Sequence, residues 1–138
     1  MDTCEKGLKS LEKMLMVERL LLQFFNYLLW KVDEPMTTFE LLVMLKVHGT
    51  DRATFVGLAR DLMSTRSAVS AAVGRLEDLR LVCRHIERDV EVTICLSDDG
   101  LQLLQRISGT FLDIKDEWLS KQNSSNNTIS LDYFSSRE

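Results

Sequence analysis

Apolar residues follow a helical period over most of this chain and alternate with polar residues only between positions 81 and 96. The alternating stretch predicts two antiparallel strands joined by a short turn, at about 81–86 and 90–96. The helical period predicts five helices, at about 3–32, 37–48, 53–63, 65–79 and 98–121.

The first and last helices carry apolar seams with spacings of three and four residues. One small domain cannot easily cover apolar residues on several faces of a helix, so a second copy of the chain is expected to pack there. Residues 1–34 and 98–121 are therefore predicted to be dimerisation helices. The seam residues are Leu8, Leu11, Leu15, Leu22, Phe25 and Leu29 in the first helix, and Leu104, Ile107, Phe111, Ile114 and Trp118 in the last.

Several helix starts have a recognisable cap. Thr37 and Glu40 have the spacing of a capping box, in which each side chain satisfies an amide at the helix start. Ser97 is placed to cap the last helix. In the fourth helix Val69, Val73 and Leu76 share one face and are predicted to pack inward, which leaves the opposite face to Arg66, Ser67, Ser70, Ala71, Gly74 and Arg75.

The order helix, turn, helix, hairpin between residues 37 and 97 predicts a winged helix-turn-helix. The fold class is therefore mostly α with a small β-hairpin wing, an α+β fold. A chain of 138 residues, 45% of them hydrophobic, suits one domain over residues 1–121. The Ser/Asn-rich residues 122–138 are predicted to form a flexible polar tail.

The motifs LARDL, STRSAVSAAVGRLEDLRLV and ICLSDDGLQLL resemble those of the MarR family of bacterial transcription regulators, over about residues 37–104. The resemblance implies a homodimer that binds double-stranded DNA. The fourth helix, residues 65–79, would enter the major groove, and the wing, residues 81–96, would lie near the minor groove. It implies recognition positions at Thr65, Arg66, Ser67, Ser70, Ala71 and Arg75, with the wing tip at Arg88.

Within that arrangement, Arg66, Ser67 and Ser70 are expected to contact base edges. Contacts that position the DNA backbone are expected from Thr65, Arg75, Arg84 and Arg88.

The chain departs from the family pattern at three positions. Ala71 stands where a basic or polar residue is common, and Arg80 stands where a Gly usually ends the recognition helix. The wing usually carries Asp-x-Arg ahead of its second strand, whereas this chain has Arg88 and Val90 at those positions.

Charge keeps a second function open. The formal net charge is −4, and residues 50–97 contain seven Arg against seven Asp or Glu and no Lys. Nucleic-acid binding depends on cations that contact phosphates, so this balance does not favour strong non-specific binding. The alternative is a winged-helix adaptor or anti-regulator that uses the same face to bind a protein and has weak or no DNA binding of its own.

Two of the three cysteines fall together in the predicted wing. If the turn centres near Asp89, Cys83 and Cys95 are cross-strand neighbours, and His85 shares their face. A redox pair or a metal site is conceivable. The favoured interpretation is ordinary strand positions, because three ligands are one short of a structural zinc site, so no metal or other cofactor is predicted.

Candidate chemistry elsewhere is sparse. Tyr27, Trp30, Met36 and Trp118 could line a pocket for a small aromatic effector, although core packing is the commoner fate of such residues. No catalytic constellation is recognisable, so an enzyme is not predicted. The longest apolar run is too short to cross a membrane, and no leader sequence opens the chain, so a cytoplasmic protein is expected.

Overall fold

The computed structural model describes residues 2–87 and 91–125, and these form five helices and one three-stranded antiparallel sheet. The sheet order is β1-β3-β2. This arrangement confirms the predicted α+β fold with a β-hairpin wing. The helices are α1 (Thr3–Lys31), α2 (Thr38–His48), α3 (Phe55–Asp61), α4 (Arg66–Asp78) and α5 (Asp98–Ser125), and the strands are β1 (Ala53–Thr54), β2 (Val82–Glu87) and β3 (Glu91–Leu96).

The chain divides into two compact units. One unit, residues 35–108, contains α2, β1, α3, α4, the hairpin and the start of α5, and is called the winged unit below. The other contains α1 and the described part of the chain from Gly109 onward, and is called the helical unit. The prediction of a single domain over residues 1–121 remains a prediction.

A short polar side chain begins each helix of the winged unit by accepting a hydrogen bond from a backbone amide. The predicted capping box is present, since the Glu40 amide donates to Thr37 Oγ1 at 3.1 Å and the Thr37 amide donates to Glu40 Oε1 at 3.0 Å. Ser97 Oγ accepts from the Gly100 amide at 2.9 Å, as the predicted cap of α5. These bonds satisfy amides that have no partner inside the helix.

The core of the winged unit lies beneath α4. Val69, Val73 and Leu76 are fully buried, which confirms the predicted inward face. Val43 and Met44 of α2 are equally buried. Burial of this face fixes which residues of α4 remain at the surface.

The hairpin has the predicted register, because Cys83 pairs with Cys95 and Glu87 pairs with Glu91. Burial along the hairpin does not follow strand parity alone. Val82 and Ile94 are buried, but Ile86 is 69% exposed because it lies far along the hairpin from the core. Thr93, from the opposite parity, is buried.

Most element ends differ from the predictions by one or two residues, and the end of the last helix differs by four. The third helix starts at Phe55 rather than Ala53, because Ala53 pairs with Ile94 in the sheet and Thr54 caps the helix. The last helix continues to Ser125, beyond its predicted end at Lys121. The remainder of the predicted polar tail, residues 126–138, lies outside the described residues, as do Arg88 and residues 89–90.

In the helical unit, Phe24 is buried against aromatic rings, with centroids 5.7 Å from Phe111 and 5.2 Å from Trp118. By contrast, the amino-terminal part of α1 exposes large apolar side chains: Leu8, Leu11, Met14, Leu15 and Leu22 are each more than half exposed. Among the described residues, no helix combines the length and the apolar character that crossing a membrane requires.

Candidate nucleic-acid interface

The surface face of α4 carries most of the residues that the sequence singled out. Thr65 caps the helix by accepting a hydrogen bond from the Ala68 amide at 3.0 Å. Arg66, Ser67 and Ser70 follow on the exposed face. The amino-terminal half of α4 therefore presents one guanidinium and two hydroxyls to a partner.

Arg66 is available for such a partner. It makes no hydrogen bond and no ion pair within the part of the chain that the structure describes. Its side chain borders an open cavity of about 420 Å³ between α4, α3 and the wing. The cavity is lined by Phe55, Arg66, Ser67, Ser70, Arg84 and Val92.

Arg84 joins the wing to the helices on the same side. Its Nε donates to Glu77 at 2.9 Å, and its guanidinium carbon lies 5.0 Å from the centre of the Phe55 ring. A guanidinium over an aromatic face is attracted by the ring electrons. These two contacts orient Arg84 toward the cavity that Arg66 also lines. Phe55 was not predicted from the sequence, because nothing in its spacing distinguishes it from a core residue.

Arg75 is engaged by a buried carboxylate. Its Nε donates to Glu40 Oε2, and the Glu40 side chain is only 3% exposed whereas that of Arg75 is 57% exposed. Glu40 therefore serves both the α2 capping box and α4. The capping role of Glu40 was predicted from the sequence. Its contact with Arg75 could not be predicted, because the two residues are 35 positions apart in the chain.

Just after α4 the backbone adopts a conformation that favours glycine. Arg80 has a φ of 63°, in the left-handed region that favours glycine. The Leu81 amide bonds back to the Leu76 carbonyl at 2.9 Å, and Ser97 Oγ donates to the Arg80 carbonyl at 2.7 Å. This position therefore has a backbone conformation that suits glycine, and Arg80 adopts it under strain.

Part of the α4 surface carries only small residues. Ala71 is exposed, and a Cβ added at Gly74 would meet no atom within 4 Å. The surface of α4 between Ser70 and Arg75 therefore carries no large exposed side chain. Such a surface permits the close approach of another molecule.

The charges around the site are largely paired. Arg52 contacts Glu91 at 3.1 Å, and Arg60 contacts Asp61 at 3.3 Å. Arg75 and Arg84 also have carboxylate partners. Of the arginines described in the winged unit before α5, only Arg66 and Arg80 have none. This distribution fits selective contacts better than a broad basic surface.

The four predicted effector-pocket residues are placed differently from one another. Tyr27 and Trp118 line one cavity of about 310 Å³ in the helical unit, together with Ile114, Glu117 and Lys121. Trp30 stacks on Tyr27 with ring centroids 5.9 Å apart, but it is 71% exposed and does not line this cavity. Met36 belongs to the winged unit and is buried there.

The wing cysteines are direct neighbours, as the predicted register requires. The Sγ atoms of Cys83 and Cys95 lie 2.8 Å apart, and neither residue forms a disulfide. Burial raises the pKa of the Cys95 thiol to about 11, and its hydrogen bond with Cys83 acts in the same direction. His85 brings a ring nitrogen to the same cluster.

Solved structures of other proteins share this fold. The transcriptional regulator BldR from Sulfolobus solfataricus superposes with a TM-score of 0.70 at 23% identity, covering 87% of this chain and 86% of BldR. Reduced AbfR bound to DNA superposes at 0.69, with 20% identity and 80% of each chain covered. A MarR family protein from Bacillus stearothermophilus superposes at 0.62, with 20% identity, 94% of this chain covered and 85% of the other.

These likenesses confirm the winged-helix fold that the MarR resemblance implied. No protein-family model matches the chain, and no curated protein matches it in sequence.

Proposed function

We propose that this protein is a dimeric, sequence-specific DNA-binding transcription regulator. The observation that carries the proposal is the unpartnered, exposed Arg66 beside Ser67 and Ser70 on the surface face of α4. Arginine can donate two parallel hydrogen bonds to guanine, and the serine hydroxyls can serve either bases or phosphates. The fold supports the proposal, since solved structures with the same fold include AbfR bound to DNA.

In the proposed complex, α4 lies in the major groove and the wing lies near the minor groove. Base edges are contacted by Arg66, Ser67 and Ser70. Contacts that position the phosphate backbone of the DNA come from Thr65, Arg75, Arg84 and Arg88. The ion pairs of Arg75 and Arg84 do not conflict with this role. In both pairs Nε is the donor, and the terminal nitrogens of a guanidinium carry further N–H groups for a phosphate.

We propose a second copy of the chain as the partner of α1. Its large apolar side chains from Leu8 to Leu22 are more than half exposed at five positions, and exposed apolar patches of this kind are typical of interfaces. Two copies related by a two-fold axis would present two α4 helices to half-sites one helical turn apart.

A small aromatic effector is the ligand that best fits the cavity of the helical unit. Its volume of about 310 Å³ is near the lower limit for small-molecule sites, and Tyr27 and Trp118 offer ring surfaces.

A protein-binding adaptor is the second candidate function. The observation that favours it is the open surface at Ala71 and Gly74, combined with arginines that are mostly paired internally. Such a face would dock on a protein surface without strong dependence on salt.

Fluorescence-anisotropy titration of the dimer against the promoter region of its own operon separates the two candidates. If the protein binds DNA, the logarithm of its binding constant should fall linearly with the logarithm of the salt concentration. Absence of salt-sensitive binding near physiological ionic strength, with the dimer intact by sedimentation, would overturn the proposal. A salt-insensitive protein complex recovered under those conditions would support the adaptor.

A further inference from the structure

We propose that Cys83, His85 and Cys95 form a binding site for a thiophilic d10 metal ion, Zn²⁺ or Cu⁺, on the wing. Their ligand atoms, two Sγ and one ring nitrogen, all lie within 4.8 Å of one another. The inference is independent of the proposed DNA binding.

The hairpin itself brings the three residues together. Cys83 pairs directly with Cys95 across β2 and β3. His85 lies two positions after Cys83 on the same strand, and alternate residues of a strand share one face. The three ligands therefore belong to one face of a regular two-stranded ladder, which needs no special loop to hold them.

The distances suit a single ion after small side-chain rotations. Zinc binds thiolate sulfur at about 2.3 Å and imidazole nitrogen at about 2.0–2.1 Å, so two thiolates on a tetrahedral ion lie about 3.8 Å apart. The present Sγ–Sγ distance of 2.8 Å must increase by about 1 Å to reach that geometry. Only weak contacts oppose this rotation, since each thiol otherwise reaches the opposite backbone carbonyl at 3.7 Å.

The donor set favours a soft cation. Two thiolates and one imidazole select Zn²⁺ or Cu⁺ over hard ions such as Mg²⁺ or Ca²⁺, which prefer oxygen ligands. His85 is exposed and both cysteines are half-buried, so an ion can enter from solvent.

The sequence argument predicted no metal because a structural zinc site has four protein ligands. The clustering of the three ligand atoms changes that expectation, since sites with three protein ligands keep a fourth position for water or another ligand.

A Cys83–Cys95 disulfide is the competing explanation for the short Sγ–Sγ distance. A disulfide needs no third residue, whereas a metal site needs the imidazole. His85 is therefore the residue whose replacement distinguishes the two explanations.

The test measures metal uptake by the full chain, reduced and kept free of oxygen. Zn²⁺ and Cu⁺ are titrated separately in competition with a chromophoric chelator, and Co²⁺ reports thiolate ligation by its absorption spectrum. The variants are Cys83→Ser and His85→Ala. The chain provides matched controls, because Cys4→Ser changes the exposed cysteine of α1 and His48→Ala changes the other histidine, which is exposed at the end of α2.

The proposal predicts one ion per chain for the unmodified protein and for both controls. Loss of a direct ligand should weaken binding by more than the roughly 10–100-fold that loss of an outer-shell partner causes, so His85→Ala and Cys83→Ser should both exceed that range. Circular dichroism should show both variants folded, and His85→Ala is especially suitable because the side chain is exposed.

Three results would overturn the proposal. One is equal affinity of His85→Ala and the unmodified chain, and another is loss of binding in Cys4→Ser. The third is a reduced protein that takes up none of the ions, and formation of a Cys83–Cys95 disulfide in air would then identify a redox pair instead.

Discussion

Glu40 and Arg75 link the helix that supports the site to the helix that presents it. The Glu40 carboxylate is buried at the start of α2, where one oxygen accepts from the Thr37 amide and the other accepts from Arg75 Nε on α4. A buried carboxylate needs such partners, because its desolvation is otherwise unfavourable. The pair therefore couples the orientation of α4 to the capping of α2.

Replacing either residue of this pair should destabilise the fold. Glu40→Ala and Arg75→Ala should each lower the free energy of unfolding by about 1–3 kcal/mol, since each removes a hydrogen bond to a charged group. The loss of stability in the double variant should be about 1 kcal/mol smaller than the sum of the two single losses, because the two residues share one interaction. Urea denaturation followed by circular dichroism measures all three values.

Thr37→Ala is the matched control for the Glu40 cap. It removes the other half of the capping box and should cost about 1 kcal/mol, additively with Arg75→Ala. Additive effects of Glu40→Ala and Arg75→Ala would contradict the coupling.

Arg80→Gly should stabilise the protein. Arg80 has a φ of 63°, and a non-glycine residue in this region costs about 1–2 kcal/mol. Part of that gain is offset by the greater freedom of glycine in the unfolded chain, so an increase of about 1 kcal/mol is expected. Thermal and urea unfolding would measure it.

Asp78→Gly is the control, because it introduces the same residue at the last position of α4, where the backbone is helical. It should destabilise by roughly 0.5–1 kcal/mol. If Arg80→Gly behaved like Asp78→Gly, the left-handed conformation of Arg80 would be refuted.

Gly100 should not tolerate a side chain. A Cβ at this position would lie 2.1 Å from the Leu81 carbonyl oxygen, which belongs to the backbone and cannot rotate away. Gly100→Ala should therefore destabilise the winged unit by about 1–3 kcal/mol, as overpacking does.

Gly74→Ala is the matched change in the same unit. The added Cβ would meet nothing within 4 Å, and alanine favours a helix interior by roughly 1 kcal/mol over glycine. Opposite signs for the two substitutions in urea denaturation are the expected result. A neutral Gly100→Ala would show that the α5 start is not packed on Leu81 as described.

The sequence predicted what depends on local spacing and missed what depends on long-range contact. The Thr37–Glu40 capping box, the inward face of α4 and the Cys83–Cys95 register follow from positions close together in the chain or from strand parity. The two-residue strand β1 has no periodicity of its own and forms only because β3 pairs with it.

The same limit applies to the site. The exposed face of α4 follows from its helical period, so Arg66 could be predicted from the sequence. The partners of Arg75 and Arg84 could not, because Glu40 and Phe55 reach them through tertiary packing. The exposure of Ile86 was also missed, because strand parity does not show how far the core extends along a hairpin.

The apolar surface of α1 should control assembly. Leu11 is 54% exposed, and in the proposed dimer it is covered by the second copy. Leu11→Glu should convert the dimer to monomer at micromolar concentration, because burial of an unpaired carboxylate is unfavourable. Light scattering after size-exclusion chromatography measures the mass.

Lys13→Glu is the control for charge on α1, since Lys13 is exposed and polar already. It should leave the mass unchanged. A monomeric unmodified chain, or a dimer that survives Leu11→Glu unaltered, would contradict the proposed interface.

The function proposed for the Arg66 face of α4 is sequence-specific recognition of DNA. Its most direct test is anisotropy titration of the unmodified chain, Arg66→Ala and Arg106→Ala on the promoter duplex and on a scrambled duplex. Arg106 is an exposed arginine of α5, outside this face, and serves as the charge-matched control. Arg66→Ala should lose about 1–3 kcal/mol of discrimination between the duplexes, whereas Arg106→Ala should retain it. Unchanged discrimination in Arg66→Ala, with its dimer intact, would contradict DNA recognition by this face of α4.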